Sequence, residues 1–180
     1  MRKRLLNCIK DGNIEEVKCL LKKGIKPSLV IASFFYQESP IVTATKINSI
    51  ELVKLLLRYG ANVNERDFYT QQRALWRAIF NGNIEMAKIL LDAGANPNIT
   101  VKLNYNCLFL AVQGRHEDMV KLLLSRGAFM PLKTVYDTWF RMPPNTILLV
   151  MEHTSNVSIE TLNACKRRKR LYDEAQANYF

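Results

Sequence analysis

The chain has 180 residues, of which 48% are hydrophobic and 23% charged, and its formal net charge is +10. This length and composition suit a single domain with one continuous core and exclude a disordered polar chain. No run of 18 or more apolar residues occurs, and the apolar stretch behind the basic N-terminus is too short for a secretory signal peptide, so we expect a soluble cytoplasmic protein.

A short apolar segment that ends in glycine, called a phrase below, recurs four times along the chain. The closing glycines, Gly24, Gly60, Gly94 and Gly127, are 36, 34 and 33 residues apart. Each phrase has apolar residues at helical spacing and ends at a residue that accepts positive φ, which predicts a short helix with a glycine C-cap. A period of this length is typical of repeat architectures. The phrases are Val17–Gly24, Val53–Gly60, Ala87–Gly94 and Val120–Gly127.

A shorter apolar stretch precedes the second, third and fourth phrases. These stretches are Ile41–Ala44, Leu75–Ile79 and Leu108–Val112, and a polar break separates each from the phrase that follows. The pattern predicts a unit of helix, tight turn, helix and loop.

This unit resembles the ankyrin repeat, in four copies over about residues 3 to 131. Gly60–Asn64 and Gly94–Asn98 match the family's Gly-Ala-Asp/Asn-x-Asn segment, and Ser39–Ala44 is closest to its Thr-Pro-Leu-His-x-Ala helix opening. The resemblance implies an all-α ankyrin-repeat solenoid of stacked helix-turn-helix units with projecting hairpin loops. The repeats are expected at about residues 3–38, 39–72, 73–105 and 106–131.

The histidine of the family's helix-opening motif is missing. Val42, Trp76 and Phe109 take its place, so the usual hydrogen bond from that side chain to the adjoining loop is lost and apolar stacking must compensate. The first unit, at the end of the stack, needs a polar outer surface. The residues expected to supply it are Arg2, Lys3, Arg4, Lys10, Lys18, Lys22 and Lys23.

Residues 132–180 depart from the repeat register, and two interpretations stay open. One is a helical C-terminal cap or degenerate fifth repeat, in which Asn145 or Thr146 caps a helix and Ser158 opens the next. The other rests on Met142–Met151, which is similar to the Leu-Pro-x-Glu-x-x-x-x-Ile-Leu opening of F-box modules but lacks its acidic residue and later tryptophan. That resemblance implies recruitment of a Skp1–cullin ubiquitin ligase.

No motif predicts catalysis, a cofactor or a metal. The patterns Gly-x-x-x-x-Gly-Lys, Gly-x-Ser-x-Gly and His-Glu-x-x-His are absent from the sequence. Cys8, Cys19, Cys107 and Cys165 lack the spacing of a metal pair, and buried free thiols are expected, with Cys19 on the apolar face of its helix. The sequence therefore predicts a protein that is not an enzyme.

The predicted partner-binding residues lie on the loops between units and on the first helix of each unit. Aromatic side chains on loop tips bury much area on binding for little lost rotamer freedom, although Phe34 and Phe35 fit equally well folded back on the stack. Thr43 is expected on the same surface of the first helices. The residues predicted to bind a partner are Phe34, Phe35, Tyr36, Arg66, Phe68, Tyr69, Arg77, Phe80, Lys102, Leu103, Tyr105 and Gln113.

Basic residues cluster at the two ends of the chain. The run Lys166, Arg167, Arg168, Lys169 and Arg170 fits a solvated capping helix, an acidic protein partner or a nuclear import signal. No basic-aromatic stripe follows the middle of the chain, which disfavours nucleic acid.

The sequence thus predicts a monomeric, non-enzymatic scaffold for a protein partner. A pathogen or viral factor that acts in a host cell, and an adaptor that binds Skp1, are the more specific hypotheses.

Overall fold

The computed structural model describes residues 2–27, 30–33, 36–67, 71–99, 106–130, 143–153 and 159–177. Four consecutive helix pairs form a stack, which confirms the predicted all-α repeat solenoid. The first helices of the pairs are α1 (Arg2–Lys10), α3 (Pro40–Lys46), α5 (Ala74–Phe80) and α7 (Cys107–Gln113). The second helices are α2 (Ile14–Lys22), α4 (Ile50–Arg58), α6 (Ile84–Asp92) and α8 (Glu117–Ser125).

The first two connections between pairs contain antiparallel pairing. Strands β1 (Val30–Ser33) and β2 (Tyr36–Glu38) form a hairpin in which Val30 lies opposite Glu38, with an irregularity near the turn. In the next connection a single antiparallel bridge joins Arg66 and Arg73. These segments correspond to the predicted hairpin loops.

Each second helix ends at the glycine that the repeated phrase predicted. Gly60, for example, has a φ of +81°, and the amide of Ala61 donates to the Leu56 carbonyl at 3.0 Å. This bond closes a Schellman motif, which satisfies a carbonyl that the helix leaves unpaired. Among the first helices, Asn48 and Arg115 adopt positive φ at the turn position where the other two pairs have glycine.

Polar side chains begin most of the second helices. Asn13, Ser49 and Asn83 each accept a hydrogen bond from the backbone amide three residues later. Such N-caps typically contribute about 1 kcal/mol. His116 precedes α8 without a side-chain cap bond, and its imidazole instead lies against the turn glycines Gly82 and Gly114.

Apolar residues of both helices in each pair form one core along the stack. The sequence assigned seven cationic residues to the outer face of the first pair. Six of them are exposed, and the side chain of Arg2 lies outside the described part of the structure; the exposed residues are Lys3, Arg4, Lys10, Lys18, Lys22 and Lys23. Leu56 and Leu90 are fully buried in the second helices α4 and α6, while Leu75 and Leu108 fill equivalent places in the first helices.

Hydrogen bonds from asparagine side chains link successive units. The amide nitrogen Nδ2 of Asn64 donates to the Gly94 carbonyl at 3.0 Å, and its Oδ1 accepts from the Asn96 amide at 2.9 Å. Asn98 repeats both bonds one unit later, to the Gly127 carbonyl and the Phe129 amide. These links join neighbouring loops.

Two further helices follow the stack in the described part of the chain. Helix α9 (Pro144–Glu152) packs against α8, and α10 (Ile159–Ala177) packs along α9. The prediction that Asn145 or Thr146 caps α9 was wrong: the helix begins at Pro144, because proline is pre-organised for the first helical position. None of the described helices is both long enough and apolar enough to cross a membrane.

We predict that Leu56→Ala and Leu90→Ala each lower the free energy of unfolding by about 2–5 kcal/mol, because each substitution leaves a cavity between packed helices. Chemical denaturation followed by circular dichroism measures the loss. Lys88→Ala, at an exposed position of α6, is the control and should stay within about 0.5 kcal/mol of wild type. Wild-type stability in either leucine variant would contradict the assigned repeat register.

Candidate partner-binding surface

The structure describes part of the predicted binding surface. Arg77, Phe80 and Gln113 lie on first helices, Arg66 is exposed at the base of a loop, and Tyr36 belongs to β2. The predicted residues Phe34, Phe35, Phe68, Tyr69, Lys102, Leu103 and Tyr105 lie outside the described residues.

Three exposed side chains occupy equivalent positions on adjacent first helices. Lys46, Phe80 and Gln113 are the last residues of α3, α5 and α7, and they are 34 and 33 residues apart in sequence. Helix α5 packs against both α3 and α7, so the three side chains form a row across the stack. We call the surface around this row the first-helix face; it comprises Lys46, Trp76, Arg77, Phe80, Leu110 and Gln113.

An aromatic pair with an arginine lies at the centre of the first-helix face. The rings of Trp76 and Phe80 are stacked, with centroids 5.4 Å apart and an interplanar angle of 12°. The Arg77 guanidinium carbon lies 5.4 Å from the Phe80 centroid and 6.0 Å from that of Trp76, within range of cation–π attraction. Phe80 is nevertheless 56% exposed, so the cluster offers an open aromatic surface.

Sequence reasoning missed Trp76 as a site residue and treated it only as a replacement for the motif histidine. Its spacing from Phe80 was an available signal, because residues four apart lie on the same side of a helix. The prediction that Thr43 lies on this surface was wrong. Thr43 is 7% exposed, and its hydroxyl donates to the Ser39 carbonyl at 3.0 Å, so it belongs to the packing between helices.

The polar contacts of the Arg77 side chain are incomplete. Its Nε is buried and has no hydrogen-bond partner in the described part of the chain. No carboxylate of the described residues forms a salt bridge with Arg77 or with Lys46. The exposed Lys46 ammonium and the exposed part of the half-buried Arg77 side chain are therefore open to an anionic group from outside, whereas the buried Nε is not.

The four cysteines occupy different environments. Burial raises the pKa of the Cys107 thiol to about 12, although the nearby Arg73 charge acts in the opposite direction, and burial also raises the pKa of Cys165. The prediction that Cys19 lies on an apolar face was wrong: α2 buries Val17, Leu20 and Leu21, which leaves Cys19 on the exposed side. Within the described ranges, no three or more His, Cys, Asp or Glu residues cluster in a way that could hold a metal.

Comparisons with known proteins match the repeated region. The family model described as ankyrin repeats (3 copies) matches residues 5–101 and 70–134. Ankyrin repeat protein FPV240 of fowlpox virus (strain NVSL) is 28% identical over 130 residues, which cover 71% of this chain. The matched segment spans 30% of the length of that relative.

We predict that iodoacetamide labels Cys19 of the folded protein at mildly alkaline pH and leaves Cys107 unmodified. A raised pKa keeps a thiol protonated, and the thiolate is the reacting form. Mass spectrometry of tryptic peptides measures the modification at each site. Denatured protein, in which all four thiols should react, is the control, and rapid native labelling of Cys107 would contradict its buried position.

Proposed function

The chain belongs to the ankyrin-repeat family, and we propose that it is a non-enzymatic scaffold that holds a protein partner on its first-helix face and hairpin loops. The repeats indicate a protein–protein interaction function. The hairpin part of the proposal includes the sequence-predicted residues Phe68 and Tyr69. The first-helix part rests on the described geometry.

The observation that carries the proposal is the Trp76–Arg77–Phe80 cluster, in which Phe80 is exposed and Trp76 and Arg77 are half-buried. Exposed apolar patches rimmed by polar residues mark interaction sites, and tryptophan, tyrosine and arginine are the residues most enriched among the energetic centres of interfaces. Stacking holds Phe80 beside Trp76 in the unbound state. A partner therefore loses little entropy in ordering this anchor.

The more specific proposal is a pathogen or viral factor directed at a host protein. Its support is the likeness to a fowlpox virus protein, combined with a repeat surface that carries no recognised catalytic motif. The partner would then be a host protein.

An adaptor for a Skp1–cullin ubiquitin ligase is the alternative. It would require α9 to offer its apolar side chains to Skp1, yet Ile147, Val150 and Met151 are each at most 1% exposed. Helix α9 lies between α8 and α10, which accounts for this burial. The packing supports a capping role for residues 143–177 over a recruiting one.

We predict that Phe80→Ala weakens partner binding at least about tenfold, because truncating an interface anchor commonly costs about 2 kcal/mol or more. Proximity labelling in the native cell identifies the partner, and calorimetry with the purified pair measures the affinity. The melting temperature should change little, since the side chain is more than half exposed.

Phe129→Ala is the matched control, because Phe129 is 54% exposed but follows a second helix. Equal affinity of the Phe80→Ala variant and wild type would overturn the first-helix part of the proposal. The double variant Phe68→Ala with Tyr69→Ala tests the hairpin part in the same assay.

A second prediction separates a cap from a recruiting module. Deletion of residues 142–180 should cause aggregation, because it removes the helix that packs against α8 and uncovers apolar surface of the last repeat. Size-exclusion chromatography and circular dichroism measure the outcome. A soluble, helical and monomeric fragment 1–141, together with capture of purified Skp1 by the full chain, would favour the ligase adaptor.

A further inference from the structure

Acidic residues are unevenly distributed between the two helix rows of the stack. The first helices α1, α3, α5 and α7 contain no aspartate or glutamate, whereas every second helix contains at least one. The basic residues of the first helices are Arg2, Lys3, Arg4, Lys10, Lys46 and Arg77, and the acidic residues of the second helices are Glu15, Glu16, Glu51, Glu85, Asp92, Glu117 and Asp118.

Helix stability explains most of the carboxylates on the second helices. Carboxylates in the first turn stabilise a helix through its dipole, and all four second helices have them there. The first helices have no carboxylate in their first turn and therefore lack this stabilisation. Most positions of α3, α5 and α7 are buried and unsuited to a carboxylate, and the exposed residues that remain, Lys46, Phe80 and Gln113, bring no negative charge to the row.

Ion pairing distinguishes the first-helix face from the end of the stack. Arg4 pairs with Glu16 at 2.6 Å and Lys10 with Glu38 at 2.7 Å, so these two cations of the first pair have internal partners. Lys46 and Arg77 have no such salt bridge among the described residues. Positive charge is therefore left uncompensated beside the exposed ring of Phe80.

One donor of the Arg77 side chain, the buried Nε, has no acceptor among the described residues. Leaving a buried donor unsatisfied costs free energy, and a carboxylate is the acceptor that matches a guanidinium best. Stacking on Trp76 and Phe80 restricts the guanidinium, which prepares it for a charged hydrogen bond. Because the unpaired Nε is itself buried, a partner carboxylate would meet the guanidinium through the exposed part of this half-buried side chain and not through Nε.

We propose that the occupant of the first-helix face is an acidic peptide segment that lays one large apolar side chain on Phe80 and directs carboxylates to Arg77 and Lys46. This inference rests on the proposed function and specifies the chemistry of the partner. Three adjacent helices span about 20 Å, the length of about six residues of extended chain. A short linear segment is therefore long enough to cross the face.

The same features fit nucleic acid less well. A single strand requires a basic groove that follows its backbone and rings between which bases can stack. On this face the two rings are stacked on each other, and the neighbouring positions on α7 are Leu110 and Gln113, which carry no charge. The cationic groups are too few for a phosphate track.

Selection of a random twelve-residue peptide library, displayed on phage, against the full chain tests the proposal. We expect enriched peptides to place two or more aspartates or glutamates within about three residues of an aromatic or large aliphatic side chain. A fluorescent copy of the strongest peptide then serves as the probe for anisotropy. Lys46→Glu and Phe80→Ala should each weaken its binding at least about tenfold.

Lys88→Glu is the matched control, because it makes the same charge change on an exposed position of the second helix α6 and should alter binding less than about twofold. Enrichment of neutral or basic peptides that still require Phe80 would overturn the acidic assignment and leave the proposed function standing. Failure of every peptide to enrich would overturn the acidic-segment proposal, whereas the proposed function is tested separately by the affinity of Phe80→Ala for the native partner. A single-stranded oligonucleotide that binds more tightly than the selected peptide, and loses affinity in Phe80→Ala, would replace the peptide with nucleic acid.

Discussion

The stack depends on packing between neighbouring helix pairs, because its helices are too short to persist alone. Three of the first helices have seven residues and the second helices have nine, whereas isolated helices below about 12–15 residues are marginal in water. Burial of residues such as Leu56 and Leu90 between neighbours therefore holds the helices in shape. The same packing leaves the last residue of each first helix exposed, which is where the binding surface forms.

Polar links fix the alignment of that packing. The bonds made by Asn64 and Asn98 are largely exposed, and a single hydrogen bond contributes only about 1 kcal/mol net, so they add less stability than the core. Their geometry, however, allows one register between adjacent units. That register aligns Lys46, Phe80 and Gln113. The asparagine bonds in the loops therefore help to set the spacing of the side chains on the first-helix face.

Much of the fold could be predicted from sequence, because apolar periodicity and the glycine caps are local signals. Gly60 and Gly94 end their helices as the repeated phrase required. The orientation of single side chains in short helices was harder to predict. Cys19 was assigned to the wrong side of α2, and Thr43 was placed on the surface although it is buried, since the face that a helix buries depends on its neighbours. For the same reason the sequence identified Arg77 and Phe80 singly but missed their assembly with Trp76.

The hydrogen bonds of Asn64 and Asn98 also bear on how such a protein could gain or lose whole repeats during evolution. Asn64 and Asn98 each bond to a glycine carbonyl and to the amide two residues beyond that glycine. The segment 65–98 therefore begins just after one linking asparagine and ends with the next. A tandem copy of this segment would find a matching junction on both sides. Duplication of a whole unit therefore requires no new contacts between the interior units. Evolutionary constraint on the number of repeats then acts mainly at the two terminal units, whose outer faces no interior copy can supply.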